Sequence, residues 1–441
     1  MFAIDTIKEL IFKKKYKKAI YFLNKFLDKN PNHLKGNFQM GKIFFELNNI
    51  YKSNYFFKKC NEIKPNDVNI LFNLALSLQS LGKINEAKNK LLQVLSISPK
   101  NVKAYFSLFF LDDNNINNDN YKKLTEFVRD SSISILDKSY INFILSKYEK
   151  RRGNIIKEIE YLNLYHDKCY KSNFNFNNQS DFYYNKIISN YFDKIEFDGE
   201  PQKIENINNE KHLFIVGLPR SGSSLVETIL VHNDSDLVSY GEFHGINISI
   251  FQQIAEIIYS KDFNFKKYKL LLNSNKFQSN LIEKYDCFEK KKFLDKSLEN
   301  FFNIDIILKF FPEAKFIHTY RDFNDSVIAI YQSMLPELSW SHKIETIMNY
   351  VNIYKKVIDY FNKKYPNKIL NVKLDKLTNN KEYEVKRILK FCDIKIDQNY
   401  LNFHNNEKLY NKTNSFLQVR EKINKYEDKK YKPYYYLLNK L

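Results

Sequence analysis

The sequence predicts two kinds of architecture in one chain: α-helical repeats at the amino end, followed by an α/β domain with a mostly parallel sheet. Three observations predict it. Pro31, Pro65 and Pro99 recur every 34 residues, a period typical of stacked helical hairpins. Residues 213–230, LFIVGLPRSGSSLVETIL, read as a strand, a Gly/Ser loop and a helix. Further on, FLDKS (293–297), KFIHTYR (315–321) and KILNVKLDKL (368–377) are short apolar runs, each followed by a helical pattern. That alternation is expected of parallel strands joined by crossover helices.

The repeats span residues 1–101. In phase with the prolines, Ala19, Ser53 and Ala87 are small, which lets the two helices of each unit approach closely. The third unit is the clearest, with Leu71, Leu74, Ala75, Leu78, Ala87, Leu91 and Pro99 spaced as on paired helices. Three such units can share one core, and the aromatics Phe38, Phe44, Tyr55, Phe56 and Phe57 are read as part of it. Residues 102–205 lose the period but keep helical patterning, notably INFILSKYEKRRGNIIKEIEYLNLY (141–165), before the asparagine-rich NFNFNNQSDF. They are read as a helical linker or divergent repeats. The loop chemistry of GEPQKIENINNE (199–210) places the boundary near residues 200–209, and the α/β domain covers 206–441.

The 213–230 segment carries the chemistry. A helix amino end leaves backbone N–H groups unpaired, and Gly217, Gly222, Ser221, Ser223 and Ser224 let the chain wrap an anion there. The Gly217 to Gly222 spacing is P-loop-like, but Ser223 and Ser224 stand where a Walker lysine and Ser/Thr belong, and the cation is Arg220 within the loop. Loss of that lysine argues against triphosphate hydrolysis. A guanidinium with serine hydroxyls suits a terminal phosphate or sulfate and needs no metal. Only seven of the 70 basic residues are arginines, and Arg220, Arg321 and Arg420 all fall in candidate site segments.

PRSGSSLVETIL resembles the PRSGTTLVEQIL signature of PAPS-dependent sulfotransferases (PAPS, 3′-phosphoadenosine 5′-phosphosulfate), especially bacterial ones with tetratricopeptide repeats and tyrosylprotein sulfotransferases. The resemblance covers nearly the whole chain. It implies that Arg220, Ser221, Gly222, Ser223 and Ser224 hold the 5′-phosphosulfate. It implies that Glu242, in the Gly-Glu after a short apolar run, is the general base for the acceptor hydroxyl; His244, two residues on, competes for that role. Lys296 resembles the lysine that stabilises charge on the sulfuryl group and leaving phosphate. Arg321, at a strand end, resembles the 3′-phosphate arginine, and its position favours that role over an ion pair with Asp322 or Asp325. The family's serine eight residues on is Ala329 here, so Ser326, a helical turn earlier, takes its place. TNSFLQVREKI resembles the family's carboxyl-terminal stretch, with Ser415 as a sulfuryl contact and Arg420 as a cofactor contact. The implied product is PAP (3′,5′-bisphosphoadenosine), with no metal involved. The acceptor is a hydroxyl of a peptide, such as a protein tyrosine, of a glycan or of a small phenol.

Two other classes fit parts of the sequence. A P-loop kinase or other nucleotide-binding protein would want ATP and magnesium; a non-catalytic repeat adaptor would retain a degenerate nucleotide site. Formal charge is +19 at pH 7, yet the lysines are spread along the chain without an aromatic–basic platform, so nucleic acid is not the expected partner. The charge instead helps to attract a polyanionic cofactor. Cys60, Cys169, Cys287 and Cys392 lack paired or metal-like spacing and are expected to be reduced. The amino end alternates apolar residues and lysines, unlike a signal peptide, and no run reaches membrane-spanning length. A cytoplasmic location is therefore expected, with the repeats open to a protein or peptide partner.

Overall fold

A computed structural model describes residues 4–188, 211–258, 275–285, 292–403, 423, 425–427 and 429–440. The predicted fold class is what it shows: helical hairpins, then a five-stranded parallel sheet between helical layers.

Three hairpins form the amino end: α1 (Ile4–Phe12) with α2 (Tyr16–Lys29), α3 (Leu34–Glu46) with α4 (Ile50–Ile63), and α5 (Val68–Ser80) with α6 (Ile84–Ile97). Side chains of His33, Asn49 and Asp67 cap α3, α4 and α5 by accepting first-turn N–H bonds. Ala19, Ser53 and Ala87 are fully buried, and the Ser53 hydroxyl donates 2.9 Å to the Gly41 carbonyl of the facing helix. Each hairpin turns through one left-handed residue, Lys14 (φ 53), Asn48 (φ 57) and Gly82 (φ 78). These recur every 34 residues, in phase with the prolines.

Five more helices follow: α7 (Val102–Leu111), α8 (Asn118–Arg129), α9 (Ile135–Arg151), α10 (Ile155–Ser172) and α11 (Phe174–Phe182). The long helical pattern at 141–165 is broken by a turn at Gly153 (φ 74) into the antiparallel α9 and α10. The asparagine-rich stretch forms helix α11. The expected boundary at 200–209 lies outside the described residues.

The strands are β1 (Leu213–Gly217), β2 (Val238–Gly241), β3 (Phe293–Asp295), β4 (Lys315–Tyr320) and β5 (Ile369–Lys373), ordered β2-β3-β1-β4-β5 and all parallel. The strand expected over 368–377 stops at Lys373, because Leu374–Asn379 turns into helix. Both faces of β1 are buried, which explains its unbroken apolar run. Leu213 and Ile215 join Val226, Ile229, Leu230, Val385 and Ile388 on one side. Phe214 and Val216 join Phe301, Ile307, Val327 and Tyr350 on the other. That second cluster continues into the repeats through Tyr16, Met40, Ile43 and Phe44, so one apolar core runs from the hairpins to the sheet.

Among the described residues no helix is long and apolar enough to cross a membrane. Cys60, Cys169 and Cys392 are buried free thiols whose pKa values burial pushes up, to about 12, 11 and 12. Cys287 lies outside the described residues.

Candidate active site

Chain order reverses on either side of β1: the chain leaves β1 for one edge of the sheet and leaves β4 for the other. Ligands of open α/β sheets gather at the carboxyl ends of strands at such a point. The predicted loop emerges there. Gly217 (φ 145) pairs with Thr319, and a Cβ at Gly217 would lie 2.2 Å from the Thr319 carbonyl oxygen, so only glycine permits β1 and β4 to meet this closely. Gly222 (φ 94) precedes the helix Ser223–Asn233, which no side chain caps, leaving its first-turn N–H groups directed at the loop.

Ser221 is buried at 2% exposure; its hydroxyl donates to the Leu218 carbonyl (2.7 Å) and pairs with the Thr319 hydroxyl (2.8 Å). Its contacts brace the loop from inside. Arg220 itself adopts φ 65, a left-handed conformation uncommon for a non-glycine residue. Its carbonyl accepts a 3.2 Å hydrogen bond from Arg321 Nη1. Two arginines from separate strand ends therefore meet. Burial, with the Arg321 charge adding to it against a favourable Tyr431, holds the Arg220 pKa below its ordinary value.

Arg321 does form the ion pair that its position had argued against. Nη2 lies 3.6 Å from Asp325 Oδ2 and donates to the Tyr426 hydroxyl, while the guanidinium sits over the Tyr426 and Tyr431 rings at 5.2 and 4.7 Å. The reason is helical spacing: Asp325 is four residues on, at the start of the helix Phe323–Tyr331. Asp322 caps that helix by accepting from the Asn324 and Asp325 N–H groups. Among the described residues Arg321 Nε is buried without a hydrogen-bond partner, and a phosphate oxygen would satisfy it. Ser326, 3% exposed, donates its hydroxyl 2.7 Å to the Asp322 carbonyl.

Lys296, one residue past β3, is 1% exposed. Its Nζ lies 3.2 Å from Glu242 Oε1, 3.2 Å from Glu227 Oε2 and 3.4 Å from Ser224 Oγ. Burial acts to lower the lysine pKa, but the two carboxylates outweigh it and the net displacement is upward. One ammonium thus joins the phosphate loop to the Gly-Glu segment. Glu242 remains half exposed, with 48% of its side chain open to solvent, so an incoming group can reach it. His244 is left-handed (φ 56), and its backbone N–H donates 2.7 Å to Ser297 Oγ. Ser415 and Arg420 lie outside the described residues.

Sequence reasoning missed Glu227, whose signal was the sole carboxylate of the helix Ser223–Asn233; Ser239 donates to its other oxygen. It also missed Lys147 of α9, which donates to the Gln332 carbonyl. Burial first, then the charge of Lys150, brings the Lys147 pKa down to about 7, with Arg220 among the nearby cations. A bound dianion at Arg220 would restore that charge. Titration calorimetry with PAP at about pH 8 in two buffers of different ionisation enthalpy is therefore expected to show proton uptake, lost in Lys147→Met. Equal enthalpies for the wild-type chain in the two buffers would refute this.

A helical array is joined here to a parallel α/β domain whose strand ends present an arginine-bearing anion loop. Residues 212–398 match the model of the sulfotransferase family, and residues 68–101 match the tetratricopeptide repeat model. The α/β part of the chain is thus similar to sulfotransferase domains, and the hairpin Val68–Ile97 to a tetratricopeptide repeat. An uncharacterized protein of Aquifex aeolicus (strain VF5) is 22% identical over 411 residues, covering 89% of this chain and 52% of the relative, so the chain spans about half that protein's length. Similar solved structures include the sulfotransferase domain of the Synechococcus PCC 7002 olefin synthase (17% identity, 53% of this chain and 91% of that one, TM-score 0.33). Another is a sulfotransferase of Mycobacterium tuberculosis H37Rv (12% identity, 69% and 92%, TM-score 0.32).

Proposed function

We propose that the protein transfers the sulfuryl group of PAPS to an acceptor hydroxyl, with a protein tyrosine, a glycan and a small phenol as the candidate classes. Repeats (1–101), helical linker (102–205) and catalytic domain (206–441) serve as its three parts. The observation that carries this reading is the Lys296 ammonium joining Ser224 of the anion loop to Glu242. PAPS would supply an activated sulfuryl group on its 5′-phosphate. Arg220, the amides of 221–224 and the hydroxyls of Ser223 and Ser224 hold that phosphate. Arg321, whose Nε has no partner among the described residues, takes the 3′-phosphate with Ser326. Glu242 accepts the acceptor's proton as its oxygen bonds to sulfur. Lys296 stabilises the charge that develops as the sulfur–oxygen bond to phosphate breaks. Ser415 and Arg420 complete the cofactor contacts.

The residues present fit a bisphosphate. Two anion-seeking features support this: among the described residues a buried guanidinium nitrogen of Arg321 has no partner, and the Arg220 loop, whose carbonyl Arg321 holds, leads into a helix amino end that no side chain caps. Among the described residues no group of three or more His, Cys, Asp and Glu side chains gathers as a metal site would.

Thermal shift with PAP, ATP and ATP plus magnesium tests the reading. PAP alone is expected to raise the melting temperature strongly, by the mass-action stabilisation of a tight ligand. ATP preference would indicate a kinase-like protein, and no response an adaptor. With labelled PAPS, Glu242→Gln is expected to lower transfer by about 10²-fold or more with PAP affinity unchanged; a full rate in that variant would move the base to His244.

A further inference from the structure

The left-handed turn residue of each hairpin recurs at 14, 48 and 82, and in the third repeat it is glycine, the residue for which this conformation is free of strain. The first two repeats place Lys14 and Asn48 there instead. A lysine at φ 53 is strained, and an asparagine at φ 57 less so. Strain of this kind persists where the surroundings fix it and marks positions worth testing for function. Both side chains reach the same loop of the other domain. Lys14 Nζ donates 3.0 Å to the Phe243 carbonyl and lies 5.5 Å from the Phe243 ring centroid. Asn48 Nδ2 donates 3.2 Å to the Ser239 carbonyl and sits against Gly241, 3.8 Å from where a Cβ there would be. The loop between these two anchors carries Glu242.

On its other side the loop is tied to β3: the Lys296 N–H donates 2.9 Å to the Gly241 carbonyl, and the His244 N–H donates 2.7 Å to Ser297 Oγ. The catalytic domain thus supplies one jaw and the repeats the other. Burial acts first to depress the Lys14 pKa, opposed by Glu46 and Asp295, so this lysine is committed to the interface rather than to solvent.

We infer that Lys14 and Asn48 are positioning residues that hold the 239–243 segment, the end of β2 and the two residues after it, so that Glu242 faces the reacting centre, making the first two repeats part of the catalytic apparatus. The inference rests on the sulfuryl-transfer reading and assigns the repeats a task within it. Glycine at both positions relieves the backbone strain while deleting both donors, so stability and turnover are expected to part company.

The test uses the full chain with Lys14→Gly and Asn48→Gly combined, and water as the acceptor. A water oxygen bonds to sulfur, the sulfur–oxygen bond to the 5′-phosphate breaks, PAP leaves, and the water proton passes to Glu242. Labelled sulfate release from PAPS is expected to fall about tenfold, the order that a small misplacement of a reacting group costs. PAP affinity stays within about twofold and the melting temperature is unchanged or higher. In a Glu242→Gln background the same pair is expected to change release no further, because residues acting through one group are non-additive. Lys14→Arg, which keeps a donor, should retain most of the rate. An undiminished rate in the double-glycine chain, an equal fall in the Glu242→Gln background, or a parallel loss of PAP affinity would each overturn the inference. Failure of the wild-type chain to bind PAP would instead overturn the sulfuryl-transfer reading, before any variant is made. Should the double variant not fold, either single glycine variant carries the same comparisons.

Discussion

Lys296→Met is expected to abolish sulfuryl transfer, with a fall of about 10³-fold or more, and to destabilise the fold at the same time. In the proposed mechanism the kinetic loss follows from deleting the buried ammonium that stabilises developing charge, a contribution worth roughly 10²–10³ for a single donor elsewhere. A full charge should sit at the upper end of that range or beyond it. The stability loss has a separate origin. Glu227, 12% exposed in its side chain, and Glu242, 48% exposed, both lie 3.2 Å from Lys296 Nζ. Removing the cation leaves Glu227 poorly solvated beside another carboxylate. Breaking a buried pair from one side costs about 3–5 kcal/mol, and the low end applies because Glu242 keeps much of its water. Single-turnover assays with labelled PAPS and chemical unfolding of the same preparation would check both effects. Transfer within tenfold of wild type would remove Lys296 from the chemistry.

The second large effect is acid unfolding. Of the eight histidines, His166, His212, His318 and His342 are buried, and burial is the foremost cause depressing each of them. His212, His318 and His342 come down to about 4, and His166 lies well below its ordinary value. Their contacts suit neutral rings: His166 pairs with His342 through Nδ1 atoms 3.1 Å apart, and His212 Nδ1 accepts from the Phe293 N–H at 3.4 Å. The unfolded chain binds these protons from about pH 6.5 downward, while the folded chain resists until about pH 4. The stabilisation is therefore complete above the unfolded pKa and is lost as pH falls through this window. At pH 5 each of the three histidines placed near 4 removes about 2 kcal/mol, so about 6 kcal/mol disappears before His166 is counted, comparable to the whole stability of an ordinary domain. Denaturant melts between pH 7.5 and 4.5 should show a steep decline beginning near pH 6.5. A flat profile down to pH 5 would contradict the burial of these rings.

What the sequence made legible was local or periodic. The 213–230 loop is contiguous, and its glycines answer to backbone requirements that any such turn has. The hairpins announced themselves through a fixed period of prolines and small residues. Contacts between distant segments left no such mark. Arg321 meets Tyr426, 105 residues away, and Ser221 meets Thr319, 98 residues away; no spacing rule connects them. The strand at 369 ended early because Leu374 packs beneath the anion loop, with its Cδ1 2.6 Å from where a Gly222 Cβ would lie, a fact visible only in three dimensions. Helix α11 formed despite its asparagines because it packs on neighbouring elements. Lys14 and Asn48 carry no mark of their own in a lysine- and asparagine-rich chain, since their partners lie 229 and 191 residues away.

The unbroken apolar mass shared by Tyr16, Phe44, Phe214 and Phe243 bears on how such a chain can change over time. Repeat arrays usually lengthen, shorten or trade units freely, since each unit leans only on its neighbours. Here the outer two units also serve as a wall of the adjoining domain, so a graft of foreign hairpins would have to reproduce that wall's shape. Freedom to vary is left to the third hairpin and to faces turned away from the sheet.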